Sequence, residues 1–237
     1  MAVNKVVYGG ETLIDLTSVT VTPETLAEGA TALNACGEHI IGTMSGGGGG
    51  NPDLPTGYKL ADFIQFSGKQ LVDTGVIGNQ DTQIWASFTW ENATQRHLYG
   101  CASSDNTKSI TSYMNGSWRF GNKYASKSIG TKNPMLPYSV LVNKTTIGVT
   151  NSVSTISDVN DFKTVGTLLL GGARDSDGTL PSVGILGKVY RFRLWQGEQM
   201  VLNLIPVTDG STFRFWDTIG KKFHDSITDV PLDGGNL

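Results

Sequence analysis

The chain holds 237 residues, of which 16% are charged, 38% are hydrophobic and 30 are glycine, with a formal net charge of −3 and a pI near 5.6. So few charges exclude long solvent-facing helices, and an acidic balance without any cluster of Lys or Arg excludes a nucleic-acid-binding surface. No run approaches the ~18 continuous apolar residues of a membrane span, and the first ten residues lack the apolar core of a secretory signal, so synthesis in the cytoplasm is expected, with release by a route such as lysis.

Along the chain, the runs Lys5 to Tyr8 and Leu13 to Thr17 are β-prone and flank a Gly9-Gly10 turn. Thr22-Pro23-Glu24 reads as a helix start, with Thr as N-cap and Pro at the first helical position, and Gly29 would stop that helix after little more than one turn. His39 to Met44 closes the segment as a further short strand. Ser45, the five glycines Gly46 to Gly50 and Asn51-Pro52-Asp53-Leu54-Pro55 then form a boundary in which glycine gives flexibility and proline stiffens the exit. The division expected is a module over 1–44, a Gly/Pro hinge over 45–57 and a large domain over 58–237. A 44-residue module cannot bury much surface alone. Its apolar side chains Val7, Tyr8, Leu13, Ile14, Leu16, Ile40 and Ile41 are therefore the expected assembly surface, covered by copies of the module or by a larger particle.

After the hinge the hydrophobic pattern has a period of two, the mark of half-buried strands. Ile84, Ala86, Phe88 and Trp90 share one face; Tyr138, Val140 and Val142 repeat the pattern, then Tyr190, Phe192 and Leu194, Met200, Leu202 and Leu204, and Phe213 and Phe215. Turn residues separate these runs at Asn115-Gly116, Asp177-Gly178 and Gly197. Many short strands without an amphipathic helix point to two packed antiparallel sheets. Cys36 and Cys101 lie on opposite sides of the glycine run, so two free thiols are expected.

Two stretches carry a resemblance. Val6 to Thr17 (VVYGGETLIDLT) with Ala32 to Met44 (ALNACGEHIIGTM) resembles a short module recurring in phage and prophage structural proteins, with its YGG-x-TLIDLT start and G-x-x-I-x-GT end. Residues 58–225 resemble the concanavalin A-like, laminin-G-like domains at the ends of phage tail and other surface proteins. The matching pieces are Phe63 to Gly75 (FIQFSGKQLVDTG), Leu98 to Cys101 (LYGC), Leu170 to Ala173 (LGGA), Gly187 to Trp195 (GKVYRFRLW), Asn203 to Val207 (NLIPV) and Phe215 to His224 (FWDTIGKKFH). The usual Tyr-Ile pair before Asp-Thr-Gly is Leu71-Val72 here, which keeps an apolar strand. The resemblance implies an all-β fold, a two-sheet antiparallel jelly-roll sandwich preceded by a small, mostly-β module. It further implies a place in a virion, at the tail or capsid surface, with other virion proteins as partners and trimerisation of the chain.

Glycanases on this fold carry alternating carboxylates on one strand, two of them serving as nucleophile and general acid. No strand here presents that pattern; Asp105, Asp158, Asp161, Asp175, Asp177 and Asp209 fall in turns, and His39, His97 and His224 are not at ligand spacing. No enzymatic activity is expected. Asp175 and Asp177, two apart before Gly178, could offer oxygen ligands to calcium, but the same residues make an ordinary polar turn and no third carboxylate follows. No cofactor is therefore expected, with calcium at that turn as the lesser alternative. Trp85 and Trp195 fall out of phase with their strands' core residues, Trp118 follows a turn, and Arg191 and Arg193 share the phase of Trp195. These five form the expected ligand-binding set, since indole faces stack on the C–H faces of sugars and on guanidinium groups. A surface-displayed adhesin for host or mucosal glycan is the function expected, a decoration protein that binds no sugar the alternative, and a glycan-degrading enzyme the third reading, disfavoured by the missing carboxylate pair.

Overall fold

The computed structural model describes residues 5–9, 11–23, 31–41, 54–91, 97–113, 117–126, 137–150, 152–181 and 184–235. The chain divides into two compact units, 1–52 and 53–237. The first contains β1 (Lys5–Tyr8), β2 (Glu11–Asp15), β3 (Thr31–Leu33) and β4 (His39–Ile41). β1 and β2 form an antiparallel hairpin with an irregularity between Val6 and Val7, and an ion pair between Lys5 and Asp15 at 3.1 Å crosses its open end. β3 and β4 pair antiparallel, Ala32 opposite Ile40. The sequence pattern shows the strands on either side of Gly9 and at His39 but not β3, whose three residues are too short to display a period. The helix expected after Thr22 falls on residues outside the described ones.

The second unit runs β5 (Lys59–Leu60), β6 (Phe63–Ser67), β7 (Val72–Asn79), β8 (Thr82–Phe88), β9 (His97–Cys101), β10 (Ser109–Tyr113), β11 (Ser117–Gly121), β12 (Lys123–Ser126), β13 (Tyr138–Asn143) and β14 (Thr146–Val149). It continues with β15 (Ser152–Thr155), β16 (Lys163–Leu170), β17 (Leu186–Gln196), β18 (Gln199–Thr208), β19 (Phe213–Asp217), β20 (Lys222–His224) and β21 (Asp233–Gly235). These strands are all-β and antiparallel, in a 6-stranded sheet ordered β12-β11-β10-β9-β16-β7 and an 11-stranded sheet ordered β15-β14-β13-β8-β17-β18-β19-β20, with β5, β6 and β21 attached beside it. One buried cluster draws on both: Tyr99, Ile110, Trp118 and Phe120 from the smaller sheet, Ile84, Phe88, Phe192 and Leu204 from the larger. Two antiparallel sheets sharing a core are consistent with a β-sandwich.

β8 shows how the sequence makes this. Thr82, Ile84, Ala86 and Phe88 are buried while Gln83, Trp85 and Ser87 are half-buried, so the strand gives one face to the core and keeps the other toward solvent. β17 departs from simple alternation. Its register slips between Val189 and Arg191, where Val189 lies opposite Phe88 and Arg191 opposite Ser87. This bulge corrects the expectation that Tyr190 shares a face with Phe192 and Leu194: Val189, Phe192 and Leu194 are the buried residues, and half-buried Tyr190 meets the edge of the Phe63 ring. A second irregularity sets Trp195 opposite Met200 while Leu194 stays opposite Leu202, so Val201 rather than Met200 joins Leu202 and Leu204 against the core. β17 also enters close against β8. A Cβ on Gly187, at φ 150°, would lie 2.1 Å from the Thr89 carbonyl oxygen, so only glycine fits where Thr89 N donates to the Lys188 carbonyl at 2.8 Å.

A second, smaller cluster of Ile205, Val207 and Trp216 is covered by Leu54, Tyr58 and Phe223. Leu54, placed in the hinge by composition, is thus packed with the large unit. Trp90, expected on the face of Ile84, Ala86 and Phe88, is buried, and so is Trp216. Cys36 is exposed and Cys101 buried, and both are free.

Candidate functional site

The solvent-side face of the 11-stranded sheet is built by register. Residues directly opposite on antiparallel strands point to the same side, so Val153, Gly148, Leu141, Trp85, Arg193 and Asn203 form one row across β15, β14, β13, β8, β17 and β18. Beside it run a row of Ser139, Ser87 and Arg191 and a row of Gln83, Trp195 and Met200. Of the five residues expected to meet a ligand, this face gathers four: Trp85, Arg191, Arg193 and Trp195.

The Arg193 guanidinium lies over the Trp85 ring, 5.1 Å from its centroid. Its Nε donates to Asn203 Oδ1 at 3.3 Å, while Asn203 Nδ2 donates to Thr218 Oγ1 at 2.7 Å and the Asn203 backbone N to Asp217 Oδ1 at 3.0 Å. Buried Asp217 also accepts the backbone N–H groups of Ile219 and Gly220, so a hydrogen-bonded chain from the β19–β20 turn fixes Arg193 over the indole. Arg191 lies two residues away on the same side. Burial, and then the charge of Arg193, makes its guanidinium less ready to hold a proton than an ordinary arginine.

Trp118 does not belong to this face. It is fully buried, 6.4 Å from the ring of Tyr99 between centroids, on β11 of the other sheet. The expectation that it meets a ligand is corrected: Trp118 and Phe120 alternate with Arg119, and that period of two points both rings into the core. The same period, read across Ser117 to Gly121, was the available sign.

At the strand ends next to this face three turns enclose a polar cleft. One part, about 290 Å³, lies between Gln80 and Asp81 of the β7–β8 turn, Asn143 and Lys144 of the β13–β14 turn, and Glu198 of the β17–β18 turn. An adjoining part of about 560 Å³ extends along Ser157, Asp158 and Asp161. Lys144 Nζ and Asp81 Oδ1, 3.2 Å apart, bridge two of the turns, and Asn143 Nδ2 donates to Gln83 Oε1 at 3.4 Å. Gln83 belongs both to the cleft and to the row with Trp195, so cleft and face are continuous. Sequence reading missed the cleft because its walls come from turns far apart in the chain, none bearing a motif.

Asp175 and Asp177 lie in a turn in which Gly178 N donates to the Asp175 carbonyl at 2.9 Å, and Asp177 Oδ1 accepts both the backbone N–H and the hydroxyl of Thr179. These bonds hold the Asp177 carboxyl below its ordinary pKa. Arg174 fastens the turn to the smaller sheet, donating to Asp73 Oδ2 at 3.0 Å and to the Gly178 carbonyl at 3.1 Å. Among the described residues no group of three or more His, Cys, Asp or Glu side chains is placed to hold a metal ion. Asp105 and Asp209 serve their turns in the same way, accepting N–H and O–H groups of Thr107 and of Ser211 and Thr212.

In the first unit the backbones of Val7, Tyr8, Leu13 and Ile14 belong to the β1–β2 hairpin, Leu16 and Ile40 are half-buried, and Ile41 is 64% exposed beside an exposed Leu33. No protein-family model matches the chain, and no curated protein matches it.

Proposed function

We propose that this protein is a non-enzymatic structural protein of a phage or prophage particle, and that its large unit is a surface-displayed adhesin for host or mucosal glycan. The observation that carries the reading is the Trp85–Arg193 stack on the solvent side of the large sheet, with Trp195 and Arg191 beside it. An indole with a guanidinium beside it offers a sugar ring an apolar platform, and Asn203, Ser87 and the adjoining cleft supply hydroxyl partners. The non-catalytic part rests on the sequence, which has no strand of alternating carboxylates like that of the glycanases; Asp105, Asp177 and Asp209 are committed to their own turns, and in the cleft Asp81 is paired with Lys144. The finer architecture we assign is the concanavalin A-like jelly roll, supported by two antiparallel sheets around one core and by the motifs spread over residues 58–225. Residues 1–44 attach the chain to the virion and bring three copies together. Exposed Leu33 and Ile41 support this, as apolar groups that association would cover. Three copies turn weak sugar contacts into avidity.

A glycan array probed with the full chain and with Trp85→Ala tests the reading. Binding by the full chain and its loss in the variant, with the melting temperature kept, is the expected result; equal binding by both overturns the placement of the site. A second reading, a decoration protein that binds no sugar, is favoured by Val153, 63% exposed in the same row as Leu141 and Trp85, which lengthens the apolar stripe. Failure of the full chain to bind any glycan would select it.

A further inference from the structure

We infer that the saccharide taken by this face carries a carboxylate, seated on Arg191 and Arg193 while its ring lies on Trp85; the inference rests on the glycan-binding reading above. Arg191 is half-buried, yet among the described residues its guanidinium makes no hydrogen bond and no ion pair. Of the other partly buried arginines, Arg174 is paired with Asp73 and Arg214 with Asp225, while Arg119 and Arg193 lie over the rings of Tyr124 and Trp85. A charge taken partly out of water without a counter-charge destabilises the fold, and a second cation two residues away adds to the cost. An anion arriving from solution offsets both.

The neighbours specify which anion. Arg193 lies 5.1 Å from the Trp85 ring centroid and is bonded through Nε to Asn203, which leaves its terminal N–H groups for a planar acceptor. Opposite Arg191 stands Ser87, and opposite Ser87 stands Ser139, two short hydroxyl side chains in the same row of the sheet. Two guanidiniums in a protein of net charge −3 make a local positive spot, not a basic field. A polymer with one carboxylate per sugar matches two guanidiniums, whereas densely sulfated or phosphorylated chains bring more charge than the two can pair. Acidic polysaccharides, built from uronic or sialic acids, are therefore the ligand class.

The test uses the full chain against polygalacturonate, alginate and polysialic acid, each compared with its own carboxyl-esterified or carboxyl-reduced form, with heparin and polyphosphate alongside. At least one carboxylated polymer should bind about tenfold to a hundredfold more tightly than its neutral counterpart, the range of a charge-assisted contact, and the preference should shrink as salt rises. Arg191→Gln should remove the preference without lowering the melting temperature, and Arg191→Lys should keep part of it. Equal binding of acid and neutral forms, a preference that survives Arg191→Gln, or tighter binding of heparin or polyphosphate each overturns the inference. If only neutral polymers bind, and Trp85→Ala abolishes that binding, the adhesin reading stands and the carboxylate falls. If no saccharide binds, both fall.

Discussion

Replacing His97 with asparagine should flatten the pH dependence of stability between pH 6.5 and 4. His97 opens β9, and its Nδ1 lies 3.0 Å from the Ser112 carbonyl oxygen, which a neutral ring satisfies by donating. Burial lowers the pKa from 6.5 to about 4, overriding the hydrogen bond to Ser112, which acts in the opposite direction. The unfolded chain therefore binds a proton near pH 6.5 and the folded chain only near 4. Stability from this group is complete above 6.5 and is lost as pH falls toward 4, by about 1.4 kcal/mol per unit and about 3 kcal/mol in all. Asp105 contributes in a lower window, because hydrogen bonds from Thr107 and Ser103 hold it at about 2 against an ordinary 3.8. Urea unfolding of the full chain and of His97→Asn at pH 7, 6, 5 and 4.5 reads the slope directly. An asparagine amide keeps a donor for Ser112 but takes up no proton, so the variant's curve should be level where the parent's falls. A parent whose stability does not change over that range, or a variant with the same slope, would refute the burial reasoning.

Trp118→Ala should cost about 3–5 kcal/mol of unfolding free energy, since it empties a site in the shared core, whereas Trp85→Ala should cost under about 1 kcal/mol; equilibrium denaturation separates the two. Gly187→Ala should destabilise by about 3 kcal/mol or more because the new Cβ meets the Thr89 carbonyl, while Gly197→Ala, at φ 60° with open space around it, should lose about 1 kcal/mol; comparing their melting temperatures tests the difference. Light scattering on the full chain and on a chain starting at Asp53, which keeps Leu54 and Tyr58 on their cluster, should return a trimer and a monomer respectively, and two monomers would show that residues 1–52 do not associate by themselves.

The β character of the large unit was legible wherever alternation ran unbroken, as in Ile84 to Phe88 and Val140 to Val142, because burial of one sheet face writes itself into every second residue. It failed at Tyr190 and Met200, where a single extra residue in a strand changes the phase and leaves no mark in composition. Four residues of the solvent face were found because three of them, Arg191, Arg193 and Trp195, lie beyond the bulge, where alternation resumes. Trp118 was misplaced by giving weight to the turn before it over the Trp118–Phe120 alternation. The Asp81–Lys144 cleft was invisible, since spatial neighbours from separate hairpins share no local pattern.

The bulge at Tyr190 sets where this strand can change length. Upstream of it the odd residue Val189 faces inward; downstream the even residues Phe192 and Leu194 do, which frees the odd positions 191, 193 and 195 for the outside. Val189 and Arg191 face the consecutive residues Phe88 and Ser87, so losing Tyr190 would restore plain alternation and leave Val189 inside and both arginines outside. A shortening by one residue at Tyr190 is therefore the change of length this strand accommodates, with Arg191 and Arg193 kept on the solvent side.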